Sequence, residues 1–182
     1  MPFISEIRTT PPDHFLSPLQ RMTYDALELL QIPFQRVETD EIVTMDDCLQ
    51  VDQKLRMKMV KTLFLCNRQQ TEFYLFVTCG DKPFTSREFA GALGVARPSF
   101  APIDRMEEML GTKIGAATVF SVLLDVDRRV RVVFDKDVVD ETWYGCSDGT
   151  NTGYLKIETA RIVGDFLRYA GHEPTVIGLE RP

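Results

Sequence analysis

The strongest constraint on this chain is a pair of strand-like apolar runs held apart by a short polar turn. Val60 to Asn67 and Glu72 to Thr78 flank Arg68-Gln69-Gln70, which reads as a β-hairpin. A second such pair, Thr118 to Asp125 and Arg129 to Phe134, flanks the turn Val126-Asp127-Arg128. Phe34-Gln35-Arg36-Val37-Glu38 alternates like a half-buried strand, Tyr154 to Ile157 is a brief strand, and Thr175 to Leu179 a last edge strand. Hairpins outnumber regular strand–helix–strand units. The expected class is therefore mixed α/β (α+β), with a mixed sheet or barrel-like core and helices around it.

Helical punctuation fits between these strands. Ser17-Pro18 opens a helix carrying Leu19, Met22, Ala26, Leu27, Leu29 and Leu30 at helical spacing, and Pro33 ends it. Thr44 with Asp47 resembles a capping box for a short helix through about Leu55. Further helices are expected from Ser86 to Leu93, from Ile103 to Leu110, and from a Thr159 cap to Tyr169, each followed by glycine or ending just before one. Residues 1–16 read as an irregular arm and 17–182 as a single domain, with no internal repeat.

Composition removes several function classes. Apolar residues make up 44% of the 182 positions and charged residues 26%, enough to bury a core. The longest uncharged run, Ile114 to Leu124, is far below the roughly 20 residues of a membrane-spanning helix. Without a basic-then-apolar N-terminus, a soluble cytoplasmic protein is expected. Lys plus Arg number 21 against 27 Asp plus Glu, a net charge of −6, which argues against coating long nucleic acid but permits gripping one end. Cys48, Cys66, Cys79 and Cys146 are scattered and without metal-ligand spacing, so packing thiols are expected, with no metal and no cofactor. His14 sits in the Pro-rich arm, and His172 follows Gly171, where a solvated or dipole-matched histidine is expected. With no Gly-x-Ser-x-Gly elbow either, a hydrolase built on a histidine base is disfavoured.

Three segments could carry chemistry, and each also has a purely structural reading. Lys61 heads the apolar strand Val60-Lys61-Thr62-Leu63-Phe64-Leu65. It is either an edge charge that discourages strand association or a partly desolvated ammonium able to hold an anionic or carbonyl oxygen. Gly115-Ala116-Ala117-Thr118-Val119-Phe120 is either a tight connection or a loop whose amides meet a developing oxyanion. Gly145 to Gly153, with Ser147, Asn151 and Thr152, looks superficially like a phosphate loop but lacks the Gly-Lys-Ser/Thr ending, so a polar turn is the default. Lys54, Arg56, Lys58 and Lys61 form a local basic stretch, a solvated face or a phosphate grip.

Taken in order, these segments resemble the YbaK/ProX aminoacyl-tRNA deacylases, the editing domains associated with prolyl-tRNA synthetase, and in particular the PrdX-like free-standing branch. The resemblance runs from about Leu27 to Leu179. It is carried by Phe34-Gln35-Arg36-Val37-Glu38, Lys61-Thr62-Leu63-Phe64-Leu65-Cys66-Asn67 and Gly94-Val95-Ala96-Arg97-Pro98-Ser99-Phe100-Ala101. Leu110-Gly111 before Gly115, Val132-Val133-Phe134-Asp135-Lys136-Asp137 and Asn151-Thr152 complete it.

The resemblance implies a pocket at the sheet's edge and hydrolysis of the ester joining a wrong amino acid to the tRNA 3′ adenosine. Lys61 and Gly115 would be its catalytic positions. Thr62, Ala116, Ala117, Thr118, Val119, Phe120, Ser147, Asn151 and Thr152 would bind substrate, and Lys54, Arg56 and Lys58 would meet tRNA phosphates. Implied partners are the aminoacyl-tRNA acceptor end and prolyl-tRNA synthetase. The chain departs from the family pattern in having Val119 where a loop proline is common, and Ser147, Thr39 and Met59 where histidines are common. An alternative follows from these departures: a catalytically weak or inactive module of the same fold that binds a tRNA end or an aminoacyl ligand.

Overall fold

The computed structural model describes residues 3–42 and 46–180. Helix α1, Pro18–Leu29, starts where the sequence marks it: the Ser17 side chain accepts from the Gln20 amide and proline takes the first helical turn. Its buried face packs on the central core through Tyr24, Ala26 and Leu27, and Leu19 is also buried. Strand β1 (Gln35–Glu38) and helix α2 (Leu49–Leu55) follow. Thr44, the expected α2 cap, lies outside the described residues. Strands β2 (Val60–Cys66) and β3 (Phe73–Cys79) form the expected antiparallel hairpin, with Lys61 opposite Thr78. Helices α3 (Ser86–Leu93) and α4 (Ile103–Leu110) each stop on the following glycine, and the two-residue strand β4 (Ser99–Phe100) lies between them.

The second expected hairpin does not form. Val119–Leu124 is a 3-10 helix capped by the Thr118 side chain. A short apolar run without alternation cannot be told from a buried helical segment by pattern alone. Val119, Phe120, Ser121 and Val122 are all buried, and the Ser121 hydroxyl donates to the Leu110 carbonyl at 2.8 Å. Strand β5 (Val130–Asp135) instead pairs in parallel with β3 and with the edge strand β8 (Thr175–Ile177). Between them come α5 (Lys136–Val139), β6 (Trp143–Ser147) and β7 (Gly153–Glu158). The expected helix near Tyr169 is present but widened: Arg161–Phe166 is π-helical and continues as α6, Leu167–Tyr169. The Thr159 hydroxyl, expected to cap it, is buried with no hydrogen-bond partner among the described residues.

Two sheets result, ordered β1-β7-β6 and β4-β2-β3-β5-β8, and they meet where Met59 bridges Gly145. The mixed α/β architecture read from the sequence is the one observed. Even-numbered β2 side chains such as Phe64 and Cys66 enter the central core, while Leu63 and Leu65 turn to the cluster that includes Phe89 of α3. Arm residues 3–16 lie along β1 through the Ile4–Thr39 and Arg8–Arg36 bridges. His172 is buried, not solvated, with Nε2 2.8 Å from Asp125 and Nδ1 2.9 Å from the Ala170 carbonyl. Among the described residues, no helix is long and apolar enough to cross a membrane.

Candidate active site

Strand β4 covers only the far end of β2 and the Met59–Gly145 bridge meets its start, so the edge at Thr62 lies open between them. The Phe64 carbonyl accepts from Ala101, on the β4 side. By the two-residue alternation of an antiparallel ladder, the Thr62 N–H and C=O face the same edge. A cavity of about 240 Å³ opens there, between that edge, the Gly115 loop and the end of β6. Lys61, Thr62, Gly115, Ala117 and Ser147 line it together. Met59, Leu63, Met106 and Ile114 supply apolar wall, and Tyr154 a phenol.

Lys61 is half-buried, and its Nζ donates to the Lys82 carbonyl at 2.5 Å. Burial pulls its ammonium below the usual lysine range, opposed by Asp81 and Cys79. An ammonium has three donors, so two remain for a ligand oxygen. Gly115 holds φ +85, a conformation that a side chain would strain, and it presents only backbone to the cavity. The Ala116 amide is already used in a turn to the Lys113 carbonyl at 3.1 Å, so the expected run of consecutive amide donors is broken there.

Several expected substrate contacts lie elsewhere. Ala116, Val119 and Phe120 are buried and do not line the cavity: the 3-10 helix turns Val119 and Phe120 inward, and Ala116 lies in the turn before it. Thr118 is also buried, its hydroxyl donating to the Ser147 carbonyl at 2.8 Å. Ser147 borders the cavity, but its hydroxyl is committed to its own loop, donating to the Thr150 carbonyl and accepting from the Gly149 amide. Asn151 ties loops together, with Nδ2 3.4 Å from the Ile114 carbonyl, while its Oδ1 is buried and has no partner among the described residues. Thr152 lines a separate cleft beside His14 and the arm. Lys54, Arg56 and Lys58 are exposed and outside this cavity, and Lys58 is paired with Glu141 at 3.0 Å.

The 147–153 loop is held by Asp148, a part of the site that sequence reasoning missed. Its carboxylate accepts from the Tyr24 hydroxyl at 2.8 Å, Gln20 Nε2 at 3.0 Å, and the amide and hydroxyl of Thr150. A Cβ on Gly153 would sit 2.2 Å from Asp148 Oδ2, so only glycine lets the carboxylate fold back over the strand start. The spaced pair Asp148-Gly149 was visible in the sequence, but its partners on α1 are more than a hundred residues away.

Two cysteines, Cys48 and Cys146, also border the cavity. Burial pushes the Cys48 thiol up to about 11 and the Cys146 thiol further, so neither is a thiolate at neutral pH. Beyond Met59 and Val60 lies a second cavity of about 290 Å³ that includes Asp52. Burial raises the Asp52 carboxyl to about 6, although the Met59 amide donates to it at 3.0 Å. A carboxyl raised in the folded state favours folding below the unfolded value, near 3.9, and loses that contribution as pH climbs through about 6. Asp52→Asn, which can still accept from Met59, should therefore stabilise the protein at pH 8 by on the order of 1–2 kcal/mol and change little at pH 3. Urea denaturation at the two pH values reads this, and an equal effect at both would contradict it.

Residues 39–163 match the family described as aminoacyl-tRNA editing domain. The prolyl-tRNA editing protein ProX of Acetoanaerobium sticklandii is 32% identical over 113 residues, covering 62% of this chain and 69% of that protein. Prolyl-tRNA synthetase associated domain-containing protein 1 of Danio rerio is 24% identical over 164 residues, covering 89% and 88%. A crystal structure proposed to be a trans-editing enzyme for prolyl-tRNA synthetase superposes with a TM-score of 0.65 at 17% identity, covering 91% of this chain and 100% of that one. A second, of a hypothetical protein, gives 0.65 at 13% identity, covering 86% and 98%. With the matched residues spanning both walls of the cavity, the chain belongs to the aminoacyl-tRNA editing, or YbaK/ProX, family.

Proposed function

We propose that this protein is a trans-acting deacylase of the PrdX-like kind, hydrolysing the ester of a mischarged tRNA: alanyl-tRNA(Pro) or a tRNA carrying another small amino acid. The observation that carries the reading is a half-buried lysine and a backbone-only glycine on the walls of one small cavity at an open strand edge. The substrate needs little more. Water attacks the ester carbonyl carbon, the carbonyl oxygen takes the negative charge, and collapse breaks the bond to the ribose oxygen. That oxygen leaves with a proton derived from the water, relayed through the neighbouring ribose hydroxyl. The roles left to the protein are holding the ester and stabilising its oxyanion, and this reading gives them to Lys61, the Thr62 amide and the Gly115 backbone.

Editing has a physical reason. One missing methylene gives a synthetase pocket only about 1–3 kcal/mol of discrimination, so a second, smaller pocket must remove mistakes. The apolar walls suit a small side chain, and Lys54 and Arg56 on the α2 flank suit the few phosphates of an acceptor end. Release of radiolabelled amino acid from mischarged tRNA tests the reading, with Gly115→Val as its control. Valine at φ +85 both strains the loop and fills the cavity, so its rate should fall about tenfold or more. Full activity in Gly115→Val would remove the cavity from the mechanism.

A second reading is a module that binds the aminoacyl end without turning it over. The commitment of the Ser147 hydroxyl within its own loop favours it, since its O–H is spent on the Thr150 carbonyl and is not free to donate to the ester or its leaving group. Saturable binding of charged tRNA with no release would select it.

A further inference from the structure

Lys82 is a buried cation whose charge the site does not use. It is 1% exposed, with Nζ 2.8 Å from Asp135 and 2.9 Å from Asp137, and it donates to the Leu179 carbonyl at 3.0 Å. Asp135, wholly buried, also accepts from the Thr78 hydroxyl at 2.7 Å and from the Asp137 amide at 3.0 Å. Thr78 lies directly across the ladder from Lys61, and the Lys82 carbonyl receives the Lys61 ammonium. The contacts therefore close a ring: Lys61 to Thr78 across the strands, Thr78 to Asp135, Asp135 to Lys82, and Lys82 back to Lys61.

We propose that Asp135 and Lys82 are positioning residues for Lys61: their buried ion pair fixes the turn after β3 so that the Lys82 carbonyl holds the Lys61 ammonium at the cavity wall. The proposal rests on the reading of Lys61 as the group that meets the ester. A buried ion pair is a poor way merely to anchor a loop, because apolar side chains of similar volume do so at no desolvation cost. What the ion pair adds is direction. Asp135 accepts from both β3 and Lys82, which sets the turn relative to the strand that faces Lys61. A flexible four-carbon side chain with one N–H already taken by a fixed carbonyl samples few positions, and its remaining donors stay where a substrate oxygen arrives.

The test uses the full chain and two readouts, one independent of turnover. Lys61 labelling by an amine-reactive reagent, followed by peptide mass spectrometry, reports whether the ammonium is held. Steady-state release from charged tRNA reports kcat and KM. The double variant Lys82→Met/Asp135→Asn leaves no buried charge unpaired at these two positions, and Asp135→Asn alone serves if the double variant does not fold. In the folded variant, Lys61 should label about tenfold faster, and kcat should fall about tenfold with KM little changed. Wild-type labelling of Lys61 in a folded variant overturns the proposal, as does a loss confined to KM. Lys61→Ala run beside it separates the two failures. If that variant keeps the wild-type rate, the catalytic reading of Lys61 fails and the positioning proposal, which rests on it, is overturned with it. If it is inactive while Asp135→Asn matches wild type in both readouts, only the positioning proposal fails.

Discussion

Alanine at position 61 is expected to slow amino-acid release from the best aminoacyl-tRNA substrate about a hundredfold or more while leaving the protein folded. The Lys61 side chain stands half-exposed at an open strand edge and makes no core contact that alanine would empty. Its ammonium donates to the Lys82 carbonyl, which water can satisfy in its place. The loss should therefore appear in the rate and not in the melting temperature. Arginine at this position should not rescue, because a planar fork cannot place its donors where a compact ammonium does. A folded Lys61→Ala protein working at wild-type rate would show that the ester is met by another group.

Asp148→Ala should be the most destabilising single change around the site, by about 3–5 kcal/mol. Alanine removes the acceptor for the Tyr24 hydroxyl, the Gln20 amide and both donors of Thr150, and it leaves them inside a region where Asp148 is 1% exposed. The two α1 donors then have no partner, so the loop that brings Ser147 to the cavity loses its tie to the helix. Urea denaturation at pH 7 measures the loss, and thermal melting should fall by roughly 10 °C or more. A change under about 1 kcal/mol would mean that the loop holds itself through the Ser147 and Thr150 backbone contacts alone.

Local signals carried the parts of the fold that local chemistry decides. Ser17-Pro18 starts α1 and the glycines after α3 and α4 end them, and the 60–79 hairpin pairs in the expected sense because its turn is short and its runs are apolar. Long-range choices were not legible. Nothing in Val130–Asp135 says that it pairs in parallel with β3 instead of with the segment before it. Trp143–Ser147 did not stand out as a strand because it ends in a glycine-rich, polar turn, and Val119–Leu124 carried no period to mark it helical.

The site divides in the same way. Lys61, Thr62, Gly115, Ala117 and Ser147, far apart in sequence, converge on one cavity. Neighbours in sequence do not follow them: the Ala116 amide is spent in a turn and Phe120 packs edge-on against Phe166 in the core. The residues that hold the site in place, Asp148 through α1 and Lys82 through β5, act across sequence separations that no spacing rule spans.

Editing of tRNA(Pro) at this cavity requires that small amino acids be released and the cognate proline spared. The most direct measurement compares wild-type single-turnover release from tRNA(Pro) charged with alanine, serine, cysteine and proline. Rapid loss of the alanyl or seryl ester, with the prolyl ester hydrolysed no faster than in buffer, is the predicted result. Fastest hydrolysis of the prolyl ester, or release from none of the four, would contradict it.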